Sequence, residues 1–301
     1  MPVPSRRILV GYVATAAGRD ALNLGITLAV DRDAELHVAM VAPEAEPYAA
    51  AVSQGAGYER VLRRQLQEWV DEAVASVPEG VRVFGHVVSA HSDAEGLLAQ
   101  ARAVDAGAIV IGARGGGVLG RYRIGSVAQA LLHSSPVPVV LAPRGYEGRG
   151  PLSRITALFG DRPGGMQVIA ETLAAADATD TPVRLVTFAQ ASETGKSSAA
   201  HTGVPNAEAM KSFVLEQLDR LGSGEHGEGA RAMINSGQAI TEVVTGKEIE
   251  KSVRRLDWEP NEVVVVGSSR LAPAGRAFMG SHAARVLRAI SVPMVVVPAP
   301  R

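Results

Sequence analysis

Two stretches of the chain carry residue types suited to holding an anion. "GARGGGVLGRYRIGS" runs from Gly112 to Ser126, with four glycines in its first six residues and Gly125-Ser126 at its end. It follows "AIVI", which reads as a buried strand, and precedes "VAQALL", which reads as a helix. "GSSRLAPAGRAFMGS" repeats the arrangement, with Gly280 thirteen residues after Gly267, the spacing of Gly112 to Gly125. Glycine lets a phosphate reach the backbone without a Cβ in the way, and unpaired N–H groups at a helix start favour anions. Ser126 can cap the helix or offer its hydroxyl to a phosphate, and Arg114, Arg121 and Arg123 add positive charge. From the loop alone two readings stay open: a phosphate site, or a flexible turn ending in a Gly-Ser cap. It is not a Walker loop, because no Gly-Lys-Ser/Thr follows.

The elements that must position these loops occur twice in one order. "RRILVGYV" is a near-continuous apolar run, as a strand buried on both faces requires. Residues 18–31 read as a helix with Leu22, Ile26, Ala29 and Val30 on one face. "ELHVAMVAP" is the next strand, and residues 44–57 read as a long loop. "YERVLRRQLQEWVDEAVASV" is an amphipathic helix whose stripe is Val61, Leu62, Leu66, Trp69, Val70, Ala73 and Val74. "VRVFGHVV" is a third strand, and Ser92 and Glu95 have capping-box spacing at the start of the next helix. "AIVIG", the glycine loop, "SVAQALL" and "VPVVLAP" complete the half.

The second half follows suit with "RITALFG", "GMQVIAETLAAA", "VRLVTFA" and "AEAMKSFVLEQLDRL", the last with Met210, Phe213, Val214, Leu218 and Leu221 on one face. "ARAMINSG", "AITEVVTGKEIEKSVRRL", "EVVVVG", the second Gly-Ser loop and "VPMVVVPAP" come next. Alternating strands and helices predict a parallel sheet with helices on both faces. The expectation is two tandem open five-stranded α/β domains of Rossmann-like type, residues 1–145 and 152–301, joined by "RGYEGRGPLSR".

Composition narrows the function classes. A chain of 301 residues suits two domains of about 150. A net charge of −1 gives no broad electrostatic footprint for nucleic acid or a membrane surface, so neither is expected as a partner. The absence of cysteine excludes disulfides, thiolate metal sites and cysteine nucleophiles. "MPVPSRRILVGYV" lacks a signal-peptide run, and no apolar stretch approaches the roughly 20 residues of a membrane helix. A cytoplasmic location is the expectation. His86, His91 and His133 are dispersed without metal-ligand spacing, and no nucleophile–base pair stands out, so neither a metal site nor an enzyme is expected.

The spacing Gly112-x2-Gly115-x9-Gly125-Ser126 resembles the nucleotide-binding pattern of the universal stress protein family. "ILVGYV", "IVIGARG" and "SSPVPVVLAP" fit it too, and the resemblance covers nearly all of both halves, as in a tandem member of that family. It implies a five-stranded parallel fold and, in one branch, ATP as the bound nucleotide at the carboxyl ends of the first and fourth strands; another branch does not bind it. By that resemblance Gly112, Arg114, Gly115, Gly125 and Ser126 would line the phosphates, and Val41 would meet the adenine or ribose. ATP-binding members usually carry an Asp after the first strand, where this chain has Val13. Asp161 and Arg162 follow the first strand of the second half, and Arg270 stands where the first half has Gly115, so the first half is expected to be the better site. The resemblance also implies an antiparallel pairing of terminal strands, here between the two halves, with a homodimer as a further option.

Overall fold

The computed structural model describes residues 6–44, 55–113, 124–148, 150–159, 165–189, 212–216, 225–246, 248–268, 272 and 274–299. By its contacts the chain separates into two compact units, the first ending at Gly148 and the second holding Arg149–Arg301 together with Leu132–Pro136.

The first half contains β1 (Arg7–Gly11), α1 (Ala16–Arg32), β2 (Glu35–Pro43), α2 (Gly55–Ala75), β3 (Val83–Ala90), α3 (Asp93–Ala103), β4 (Ala108–Gly112), α4 (Ser126–Ser134) and β5 (Val139–Ala142). Its strands lie in the order β3-β2-β1-β4-β5 and every neighbouring pair is parallel. Leu9, Val10, Ile109, Val110 and Val139 are fully buried, which accounts for the uninterrupted apolar runs of the central strands. Side chains alternate across the sheet. Val10 and Leu36 meet α1 at Gly25, and Met40 and Ala42 join Leu66 and Val70 of α2 in one cluster. On the opposite face Gly11 meets Leu97, and Val41 meets Gly96, both of α3.

Local signals fix the helix ends. Thr15 is the N-cap of α1 and its hydroxyl accepts from the Gly18 N–H at 3.3 Å. Asp33, at φ 47°, closes the same helix in the left-handed region. Ser92 caps α3 by accepting from the Glu95 N–H at 3.3 Å, as the capping-box spacing predicts. Such caps typically contribute about 1 kcal/mol.

Two expected core positions are surface positions. Val30 is 58% exposed and Val61 65% exposed. The buried face of α1 instead includes Ala21, Leu24, Gly25 and Leu28, along with two polar residues, Asp20 and Thr27. Those polar residues have a purpose in the segment joining the halves. Gly145 N–H donates to Asp20 Oδ2 at 3.0 Å, Asn23 Nδ2 donates to the Tyr146 carbonyl at 2.9 Å, and the Tyr146 hydroxyl lies 3.4 Å from Thr27 Oγ1. The start of the linker is therefore clasped along α1, with Tyr146 buried.

The second half contains β6 (Arg154–Phe159), α5 (Gly165–Asp177), β7 (Val183–Ala189), α6 (Glu225–Ser236), β8 (Ala239–Thr245), α7 (Ile249–Arg254), β9 (Glu262–Gly267), α8 (Ser281–Ala289) and β10 (Met294–Val297). Its order, β10-β9-β6-β7-β8, is again parallel throughout. Ile169, Leu173, Leu185 and Val264 centre its core. Of the expected helix stripe, Val214 is fully buried and Phe213 half-buried, while Met210, Leu218 and Leu221 lie outside the described residues. Among the described residues no helix is long and apolar enough to cross a membrane.

Candidate functional site

In the order β3-β2-β1-β4-β5 the chain reverses direction across the sheet between β1 and β4. Ligands of open α/β sheets bind outside the carboxyl ends of strands at such a switch point. Gly11 is paired with Ala39 on β2 and with Ile111 on β4, so Val41, Val13 and Gly112 all lie at neighbouring strand ends. The turn leaving β1 is tight. Thr15 N–H donates back to the Val13 carbonyl at 2.7 Å, and a Cβ on Gly18 would lie 1.8 Å from that same carbonyl oxygen.

Gly112 has a comparable constraint. A Cβ there would stand 1.9 Å from the backbone oxygen of Ala17 and 2.6 Å from its carbonyl carbon. The first turn of α1 thus rests directly on the backbone at the end of β4. Gly112, Val13, Ala17 and Gly18 form one close-packed cluster, and the sequence pattern identified only the first two. Thr15 spaced three residues ahead of Gly18 was the available signal, as a cap facing its N3 amide.

Val13 is 46% exposed and lies beyond the strand's apolar core. Tyr12 beside it is held instead, with its N–H donating to the Ala39 carbonyl at 2.8 Å and its ring against the Met40, Ala42, Leu66 and Val70 cluster. Burial raises the Tyr12 phenol above its ordinary pKa, Arg19 pulls it down and Glu72 adds to the rise. Val41 is half-buried, and its methyl groups fill the space beside Gly96.

At the other end of the loop, the Gly125 carbonyl accepts from Gln129 N–H at 2.9 Å and closes the first turn of α4. Glycine is therefore the cap and Ser126 the first helical residue, exposed. The second half repeats this, with Gly280 as N-cap of α8, its carbonyl accepting from Ala284 N–H at 3.0 Å, and Ser281 exposed behind it. Arg114 and Gly115 lie outside the described residues, as do Asp161, Arg162 and Arg270.

The loops of the two halves differ at the residue after the strand. Ala113 is buried and its N–H donates to the Ala142 carbonyl at 3.0 Å. Ser268 makes the matching backbone bond to Val297 and adds its hydroxyl, which donates to the Val297 carbonyl at 2.6 Å and accepts from Phe278 N–H at 3.0 Å. The second loop is thereby tied to its own sheet, a difference that sequence reading missed.

The histidines also have particular places. His86 is hydrogen-bonded to His37 at 2.9 Å, His91 lies against Glu44, and His133 is exposed. Among the described residues no group of three or more His, Cys, Asp or Glu could hold a metal ion.

Comparison with known proteins agrees with this architecture. The sequence profile of the universal stress protein family matches residues 4–143 and again 153–298. A universal stress protein of Mycobacterium tuberculosis is 28% identical over 297 residues, covering 97% of this chain and 99% of its own. The crystal structure of a universal stress protein from Archaeoglobus fulgidus superposes with a TM-score of 0.69 at 12% identity, covering 98% of this chain and 99% of that one. A putative universal stress protein from Pseudomonas aeruginosa gives 0.58 at 17% identity, covering 98% and 93%.

Proposed function

The chain belongs to the universal stress protein family, and from that premise we propose that its first half binds an adenine nucleotide, ATP, as a signal in a cytoplasmic stress response. The output is a changed surface offered to partner proteins rather than a released product. One observation carries the reading: the strand ends at the switch point lead through a glycine loop to a helix start where Gly125 caps and Ser126 is exposed. Backbone N–H groups at such a helix start suit a phosphate. The second half, with Arg270 in place of the second motif glycine and Ser268 fastening its loop, is the weaker site or none.

Titration calorimetry with ATP tests this. The native chain should bind at no more than one strong site, and Gly115→Arg should remove the heat signal at concentrations that saturate the native chain. Two equal sites, or binding that survives Gly115→Arg, would overturn the assignment.

A specific observation favours a second reading, a ligand-free interaction scaffold. Gly112 is already required by its contact with Ala17, so packing alone accounts for it, and Val13 supplies no carboxylate for a ribose. Val13→Asp separates the two readings. The side chain at this position is exposed, so an acid there is tolerated, and a charge-assisted hydrogen bond contributes about 1.5–3 kcal/mol. ATP binding should tighten by roughly tenfold to a hundredfold. Equal or weaker binding by Val13→Asp, measured by the same calorimetry, would favour the scaffold.

A further inference from the structure

The edge of the first half's sheet carries a pair of histidines that the nucleotide reading does not use. His37, 7% exposed on β2, has Nδ1 2.9 Å from Nε2 of His86 on the edge strand β3. The two rings lie within 20° of parallel, and Phe84 also stacks against His37. A hydrogen bond between two imidazoles needs one donor and one acceptor nitrogen. The pair can therefore be neutral or carry one extra proton, but it cannot keep the bond once both rings are imidazolium.

The second half shows what these positions otherwise hold. By strand register His37, opposite Phe84, corresponds to Arg184, opposite Ile240, and His86 corresponds to Glu242. Arg184 and Glu242 form an ion pair at 3.6 Å. One frame thus carries a fixed opposite-charge pair across its edge, and the other carries a pair whose charge depends on pH. We propose that His37 and His86 form a proton-operated latch on β3, closed with at most one proton on the pair and released when both rings are protonated.

The surroundings disfavour a second proton on the pair. Among the described residues Nε2 of His37 is buried without a hydrogen-bond partner, and it lies 4.0 Å from Glu35 Oε2. Glu35 is already engaged by Arg7 of β1 at 3.0 Å and by Arg82, just before β3, at 2.9 Å, which limits how much it can favour a charge there. From above, α3 turns Ala94, Gly96, Leu97 and Ala101 toward the sheet, and its charged residues Asp93, Glu95 and Arg102 are exposed. The opposite face of β3 is covered by α2, with Val70 against Gly85. Among the described residues no acid forms an ion pair with His86. Burial lowers both rings below the ordinary histidine pKa, His37 further through the charge of His86, with Glu35 opposing and Arg7 adding to the fall.

The sign follows from these lowered values. The opened strand binds protons more readily than the closed one, so the latch contributes its full stability above about pH 6.5 and loses it as pH falls through the two lowered steps. Each extra proton bound by the opened form raises the opening constant by up to tenfold per pH unit. Amide hydrogen exchange of the full chain, corrected for intrinsic rates, tests this between pH 7.5 and 5, with β8 as the internal control. Opening of β3 should rise at least tenfold while β8 stays level, and His86→Glu, which installs the second half's acid, should abolish the rise. An opening constant of β3 that stays level, or an undiminished rise in His86→Glu, would overturn the latch. Should that variant fail to fold, the native chain's histidine Hε1 titration decides: two linked steps below the ordinary value support the latch, and two independent ordinary titrations exclude it.

Discussion

Replacing Glu262 with alanine should destabilise the second half by about 3–5 kcal/mol, the usual cost of leaving a buried charge without its partner. Glu262 opens β9 and is fully buried. Oε1 accepts from Arg184 at 2.8 Å and from the Thr156 hydroxyl, while Oε2 accepts from Arg154 at 2.7 Å and from the Glu259 N–H at 2.9 Å. Arg184 is only 3% exposed, with its guanidinium 5.1 Å from the centre of the Trp258 ring and Nε donating to Thr156. Removing the carboxylate strands that cation in the sheet, where Glu242, at 3.6 Å, is a weaker substitute. Chemical denaturation followed by circular dichroism should show the second half's transition at lower denaturant with an unchanged slope. A shift of under about 1 kcal/mol would mean that water reaches Arg184 and that the network is not closed. Glu262→Gln should fall between, since an amide oxygen still accepts. The network is no proof of net stability, because a well-packed apolar replacement of all its members could equal it.

Gly112→Ala is expected to cost the first half about 3 kcal/mol, toward the upper end for overpacking. The added carbon meets backbone rather than a movable side chain, 1.9 Å from the Ala17 oxygen, so α1 itself has to shift. That shift also moves the turn at Val13, whose carbonyl is packed against Gly18. Thermal unfolding without ligand isolates the packing cost, and ATP calorimetry well below the transition then reads the effect on the site. If Gly112→Ala unfolds like the native chain, the close approach of α1 to β4 is wrong. Loss of ATP binding alone would not make Gly112 a phosphate contact, because the displaced turn would produce the same result.

The frame of the fold was legible because buried parallel strands announce themselves by local composition. "ILVG", "AIVI" and "EVVVVG" each became a central strand, and Ser92 became the cap its spacing implied. Helix faces were read less well. Val30 and Val61 are apolar but exposed, while Gly25 and Thr27 are buried, because close packing on a sheet selects small residues as well as greasy ones. The helix start at Gly125-Ser126 was readable from order, but the expected cap, Ser126, is the first helical residue and Gly125 takes the cap position. The packing reason for Gly112 was not readable, since Ala17 is remote in sequence. The least legible features are those made by partners far apart along the chain. His37 and His86 are 49 residues apart and Arg154 and Glu262 are 108 apart, and only the strand order brings them together.

The register match between the histidine pair and the Arg184–Glu242 pair constrains how duplicated halves can drift apart. Converting one pair into the other takes two substitutions, and the order in which they arise matters. His86→Glu first leaves a histidine beside a carboxylate, a combination that attracts when the ring is charged and still hydrogen-bonds when it is neutral. His37→Arg first leaves a buried guanidinium facing an imidazole, and Glu35, already engaged by Arg7 and Arg82, answers it poorly. In the first half the easier passage therefore runs through one intermediate, a histidine on the inner strand and an acid on the edge. A lineage that reached it could pass either way without losing the sheet, gaining acid sensitivity at one edge or permanent charge at the other.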